Sequence, residues 1–139
     1  MADYPDFEGQ KSGIYSIADW AAHEGKEKFF EVTDSPVLPW NAMVLDYAVP
    51  AGKKLYILGG SWGTFAAAVA NYDHFLWIWV NIYDLTTGNK NVMQVSLGGG
   101  NIVLKVPAII PANHTLRLFA QNMSNVGVWL AMNAWGYEL

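Results

Sequence analysis

From Trp40 onward the chain alternates short apolar runs with turn residues. Strands of about four to eight residues, bounded by Gly, Pro, Asn and Asp, produce such a pattern. It predicts strands over Ala42–Val49, Lys54–Gly59, Phe65–Ala70, Phe75–Asp84, Asn91–Leu97, Ile102–Val106, Thr115–Asn122 and Val126–Tyr137. The predicted turns are Pro50-Ala51-Gly52, Gly59–Gly63, Thr87-Gly88-Asn89, Gly98–Asn101, Pro111-Ala112-Asn113 and Ser124-Asn125. Short strands in this number predict an all-β sandwich or barrel. Pro107 and Pro111 bracket Ala108-Ile109-Ile110. A proline cannot donate to a strand ladder, so that piece is expected at an edge or a bulge.

Two strands show what each face is for. Along Phe75–Tyr83, one face carries Phe75, Trp77, Trp79, Asn81 and Tyr83, and the other Leu76, Ile78, Val80 and Ile82. Both faces are apolar, so both are expected to be covered. The aliphatic face suits a sandwich core. The aromatic face fits either a subunit interface or a platform on which sugars stack. The last strand repeats the arrangement, with Val128, Leu130 and Met132 opposite Trp129, Asn133, Trp135 and Tyr137. Trp77, Trp79, Trp129, Trp135 and Tyr137 are therefore the expected packing residues within or between subunits.

The first third reads differently. Ser16-Ile17-Ala18-Asp19 is a capping-box-like start that puts Ile17, Trp20 and Ala21 on one helical face, and Gly25 limits its length. Residues 1–15 carry aromatics without a clear period, as an arm that orders against a partner would. The expected organisation is an arm with a short helix over 1–37 and a β-domain over 38–139. Tyr4, Phe7, Tyr15 and Trp20 are the expected anchors of the arm.

Charge separates the same two parts. The whole chain is only 14% charged, against about 25% in an average protein. Residues 1–34 hold 8 acids and 3 bases, whereas the following 105 residues hold 4 acids and 5 bases. A soluble monomer needs charged surface to stay apart from its copies. The body is thus expected to have neighbours, unless its Asn, Gln, Ser, Thr and Gly side chains do the solvating. A net charge of −4 with the single arginine Arg117 argues against phosphate neutralisation and so against a nucleic-acid partner. The chain has no cysteine, which removes disulfides, thiolate chemistry and cysteine-bound zinc. No stretch has the roughly 18 apolar residues of a spanning helix, so no membrane role is expected. The acidic start Met1–Asp6 does not read as a secretory signal.

Candidate chemistry is sparse. Gly59-Gly60-Ser61-Trp62-Gly63 is a formal G-x-S-x-G, and it resembles the nucleophile elbow of proline iminopeptidases. Asp84 and His114 follow in the order a triad needs. Against a serine hydrolase stand the short chain, the absence of an oxyanion motif upstream, and antiparallel-style strands downstream. The plainer expectation is a Gly-rich bend with Ser61 and Trp62 at its tip. His23, His74 and His114 are dispersed, so no metal site is expected. Asp84–Asn89 lacks the spacing of a calcium loop. Asn113-His114-Thr115 and Asn122-Met123-Ser124 fit the N-glycosylation pattern but read as turn residues. No enzyme activity and no cofactor are expected.

One internal echo refines the topology. Val49-Pro50-Ala51-Gly52-Lys53-Lys54-Leu55-Tyr56-Ile57-Leu58 matches Ile110-Pro111-Ala112-Asn113-His114-Thr115-Leu116-Arg117-Leu118-Phe119. Each half is a strand end, a proline-led turn whose Gly or Asn tolerates positive φ, and an alternating strand. An eight-stranded antiparallel jelly roll would place such turns between its second and third and its seventh and eighth strands. With the final Trp135-Gly136-Tyr137-Glu138-Leu139, these segments resemble the single-jelly-roll virion proteins of tailed bacteriophages. The resemblance covers about residues 42–139 and implies a homotrimeric, non-enzymatic component of the virion. That component would be a capsid decoration (cement) protein on the capsid surface, bound to the major capsid protein. A receptor-binding or carbohydrate-binding fibre domain is the alternative, with a glycan as partner.

Overall fold

The computed structural model describes residues 25–66 and 77–139. They form eight strands: β1 Lys26–Val37, β2 Ala42–Ala48, β3 Leu55–Ala66, β4 Trp77–Asp84, β5 Lys90–Leu97, β6 Gly99–Ile110, β7 Thr115–Asn122 and β8 Val128–Glu138. Sheet 1 has the order β1-β8-β3-β6 and sheet 2 the order β2-β7-β4-β5. Every pairing is antiparallel. The described residues are all-β, two four-stranded sheets packed as a sandwich. The expected helix and the expected anchors Tyr4, Phe7, Tyr15 and Trp20 lie outside the described residues.

The core follows from strand alternation. On β7, Leu116, Leu118, Ala120 and Asn122 are buried while the residues between them are half-buried. Ile78, Val80 and Ile82 of β4 meet Val128, Leu130 and Met132 of β8 in one apolar cluster. Each such side chain contributes about 1.5–3 kcal/mol when fully buried. Tyr47 and Glu138 tie the sheets at one end, the Tyr47 hydroxyl donating to Glu138 Oε2 at 2.6 Å. At the other end Trp62 Nε1 donates to Ser96 Oγ at 2.9 Å.

Three features depart from the pattern read in sequence. First, β1 lies inside the segment assigned to the arm and pairs with β8 from Lys26↔Glu138 to Val37↔Val128. Charged residues at both faces of Lys26–Asp34 hide its alternation. Only Phe30 and Val37 of β1 are buried.

Second, Gly59–Gly63 is not a bend. It is the middle of β3, which unites two expected strands. The glycines are required by what lies against them. The Trp135 indole covers Gly59, and a Cβ there would stand 2.8 Å from its Cε2. Gly60 faces Ile82 Cδ1 of the opposite sheet, 2.9 Å from where its Cβ would be. Glycine inside a strand often marks such a close approach. A large ring laid over it restores the lost packing. Third, Gly99 and Gly100 belong to β6 rather than to a turn. The Trp62 ring packs on Gly100, its Nε1 3.0 Å from the would-be Cβ. Pro107 falls where the β3–β6 register shifts, on an edge strand, as a proline should.

The echoing turns connect strands of different sheets. The first joins β2 to β3 and the second joins β6 to β7. The second turn is thus between the sixth and seventh strands, since the added β1 and the fusion of two expected strands into β3 offset each other in the count. Gly52 has φ 76° and Asn113 φ 66°, the conformation that each residue type was expected to supply. Lys53 N donates to Pro50 O at 3.1 Å and His114 N to Pro111 O at 3.2 Å. The turns also bond to each other, Val49 N to His114 O and Asn113 N to Val49 O, both at 2.9 Å.

Gly63 is the exception among the β3 glycines, because no atom of the described residues lies within 4 Å of where its Cβ would be. Glycine in a strand costs roughly 0.5–1 kcal/mol relative to alanine. Gly63→Ala is therefore expected to raise stability by about that amount, read as a small upward shift in a thermal melt. A lowered melting temperature would show that the space is not open.

Candidate functional site

The outward faces of the two sheets carry the exposed chemistry. On sheet 2, register places Val44, Phe119, Asn81 and Met93 in one row across β2, β7, β4 and β5. Gln121, Trp79 and Val95 form the next row, and Trp77 pairs with Leu97 beyond it. Met93 is 60% exposed and Leu97 67%, with Val44, Trp77 and Val95 exposed as well. Trp79 and Phe119 meet edge to face, centroids 5.8 Å apart. Asn81 is buried at the centre of this face, and its Oδ1 has no hydrogen-bond partner among the described residues.

An ionic row borders the patch. Asp46, Arg117, Tyr83 and Lys90 align across the same four strands. Arg117 donates from Nε and Nη2 to the two Asp46 carboxylate oxygens, each at 2.7 Å. The hydrogen bond from Arg117 holds the Asp46 carboxyl below its ordinary range, and Asp46 in turn raises the guanidinium. Lys90 Nζ sits 3.7 Å from the Tyr83 ring centroid, a cation–π contact. The single arginine is thus engaged within the chain.

Sheet 1 presents a different outward face. Its rows are Phe29–Trp135–Gly59–Val103, Glu31–Asn133–Ser61–Asn101 and Thr33–Ala131–Gly63–Gly99, followed by the pair Trp129–Phe65. Ser61 donates to Asn133 Oδ1 from its amide at 3.2 Å and from Oγ at 2.9 Å. The five tryptophans and tyrosines singled out in the sequence therefore divide between opposite faces. Trp77 and Trp79 lie on sheet 2, and Trp129, Trp135 and Tyr137 on sheet 1.

The formal triad separates. Asp84 and His114 do meet, His114 Nδ1 lying 2.7 Å from Asp84 Oδ2. Ser61 bonds to Asn133 instead. It lies six residues along β3 from Leu55, which pairs with Ile110, or about 20 Å up the strand at the usual rise. The Asp84–His114 pair has a structural task. Asp84 Oδ1 accepts from Thr86 N at 2.9 Å and Thr87 N at 3.3 Å. Thr86 Oγ1 accepts from Thr115 N at 3.0 Å. Together these bonds pin the β4–β5 turn to the start of β7. Burial raises the Asp84 carboxyl, but the His114 and Thr87 hydrogen bonds outweigh it and the net shift is downward. The turn motif is visible in sequence, and its histidine partner, 30 residues away, is offered there only as a member of the formal triad.

The pattern Asn122-Met123-Ser124 is internal. Asn122 is fully buried and its Nδ2 donates to Val37 O and Val126 O, each at 2.8 Å. Ser124 N donates to Asn122 Oδ1 at 2.7 Å, so this asparagine organises the β7–β8 connection. Among the described residues no three His, Asp or Glu side chains converge to hold a metal ion. No family model matches the chain, and no curated protein matches it.

Proposed function

We propose that this protein is a non-enzymatic jelly roll that forms a homotrimer and decorates a bacteriophage capsid. The strand orders β1-β8-β3-β6 and β2-β7-β4-β5 support the jelly roll, since two interlocked Greek keys generate that arrangement. The observation that carries the assembly is the outward face of sheet 2. Val44, Trp77, Met93, Val95 and Leu97 are all exposed there, and large apolar patches on a soluble chain mark contacts. A lasting contact needs about 1,000 Å² or more of buried surface.

A closed ring of three uses two different patches on each copy. The exposed Val103, Val106 and Ile109 of β6 supply the second. The acidic N-terminal residues, with Tyr4, Phe7, Tyr15 and Trp20, reach the major capsid protein. Binding of the assembled form then stabilises the shell by mass action. Light scattering on the full chain tests the assembly step. A mass of three chains at micromolar concentration is expected, and a soluble single chain would overturn the proposal.

A further inference from the structure

The outward face of sheet 1 has a chemistry unlike that of sheet 2. On sheet 2 the exposed side chains are mostly aliphatic. On sheet 1 two pairs of rings stand at either end of a low, polar strip. Trp135 and Phe29 form one pair and Trp129 and Phe65 the other. Phe65 is 71% exposed, and Phe29 and Trp129 are exposed as well. Trp135 and Trp129 lie six residues apart on β8, or about 20 Å at the usual strand rise.

The floor between the rings is small and hydrogen-bonding. Asn133, Ser61 and Asn101 cross it in one row, and Ala131, Gly63 and Gly99 in the next. No atom of the described residues stands within 4 Å of the missing Gly63 Cβ, so they leave the floor open there. The Trp135 indole lies over Gly59 and is half-buried. Flat aromatic surfaces flanking amide and hydroxyl groups match a sugar ring, whose apolar face stacks while its hydroxyls hydrogen-bond. Charge narrows the choice. Glu31 is the one charged side chain in these rows, with no lysine or arginine to meet an acidic sugar.

We infer that this face binds an unbranched, neutral polysaccharide laid along β8 from Trp135 to Trp129. The rings hold its two ends, and Asn133 and Ser61 hydrogen-bond the units between. The site is on the opposite sheet from the sheet 2 contact, and it runs along β8 with β3 between it and the β6 contact patch.

Calorimetric titration and tryptophan fluorescence on the full-length protein test this. The probes are cellohexaose, maltohexaose, mannohexaose, chitohexaose and their disaccharides, with hexagalacturonate as the acidic control. At least one neutral hexasaccharide is expected to bind saturably and quench fluorescence, while its disaccharide and hexagalacturonate do not. Trp129→Ala and Asn133→Ala are each expected to weaken binding about tenfold with the light-scattering mass unchanged. Asn133→Ala removes a half-buried amide, and it keeps the test alive should the tryptophan variant fold poorly. Three results would overturn the inference. They are no binding by any neutral hexasaccharide, undiminished binding in both variants, or variants that change the oligomer mass instead.

Discussion

Gly136→Ala is expected to lower the melting temperature by roughly 10 °C or more, or to prevent folding altogether. Gly136 sits in β8, between Lys28 of β1 and Ile57 of β3. A Cβ at that position would overlap the Tyr56 carbonyl oxygen. It would also stand 2.8 Å from the Tyr56 carbonyl carbon and 3.0 Å from Ile57 Cα. All three are backbone atoms, so no rotamer change relieves the clash. Relief requires moving β3 away from β8, which breaks the ladder at the centre of sheet 1. Forced overpacking of this kind costs about 3 kcal/mol or more. Gly63→Ala serves as the internal control, since it adds the same methyl to open space on β3. A thermal melt by circular dichroism reads both. If Gly136→Ala melts within a degree or two of the wild type, the β3–β8 register is wrong.

Asp84→Ala is expected to be nearly as damaging. The carboxylate is almost fully buried and serves three donors, Thr86 N, Thr87 N and His114 Nδ1. An ionised carboxylate only accepts, so Nδ1 carries the proton in this contact. Truncation leaves all three without an acceptor, at a cost of about 2–4 kcal/mol. The same carboxylate makes stability depend on pH. Its folded value is held below the ordinary 3.8, so the unfolded chain takes up the proton first as pH falls. The stabilisation is fully present above the ordinary value and is lost as pH drops through the folded one. Urea unfolding at about pH 7 and at steps down to about pH 3 should show this loss in the wild type. Asp84→Asn should flatten that part of the profile, and an unchanged slope would remove Asp84 as its source.

How much of this was legible depends on what each residue needs from afar. β2, β4, β5, β7 and β8 follow from local alternation alone, and so does the division of β4 into an aliphatic inner and an aromatic outer face. The positive φ at Gly52 and Asn113 followed from turn chemistry. β1 was hidden because Lys26, Glu27, Lys28, Glu31 and Asp34 put charge on both of its faces. β3 was cut in two because a run of glycines reads locally as a turn. Trp135 and the Ile102 carbonyl at Gly59, and Ile82 and the Asn133 carbonyl at Gly60, all brought close by the fold, explain why glycine is needed. The Asp84–His114 contact and the separation of Trp77 from Trp135 onto opposite faces both follow from sheet order, which no local pattern contains.

The central claim is that the outward face of sheet 2 holds copies of the chain together. Its most direct test is the light-scattering mass of the wild type beside a Val95→Lys, Leu97→Lys variant. Both residues are exposed on β5, so lysine there adds charge to the face without entering the core. The expected result is three chains for the wild type and one folded chain for the variant, with matching circular dichroism spectra. A wild type that is already a single chain, or a variant that keeps the wild-type mass, would contradict the account.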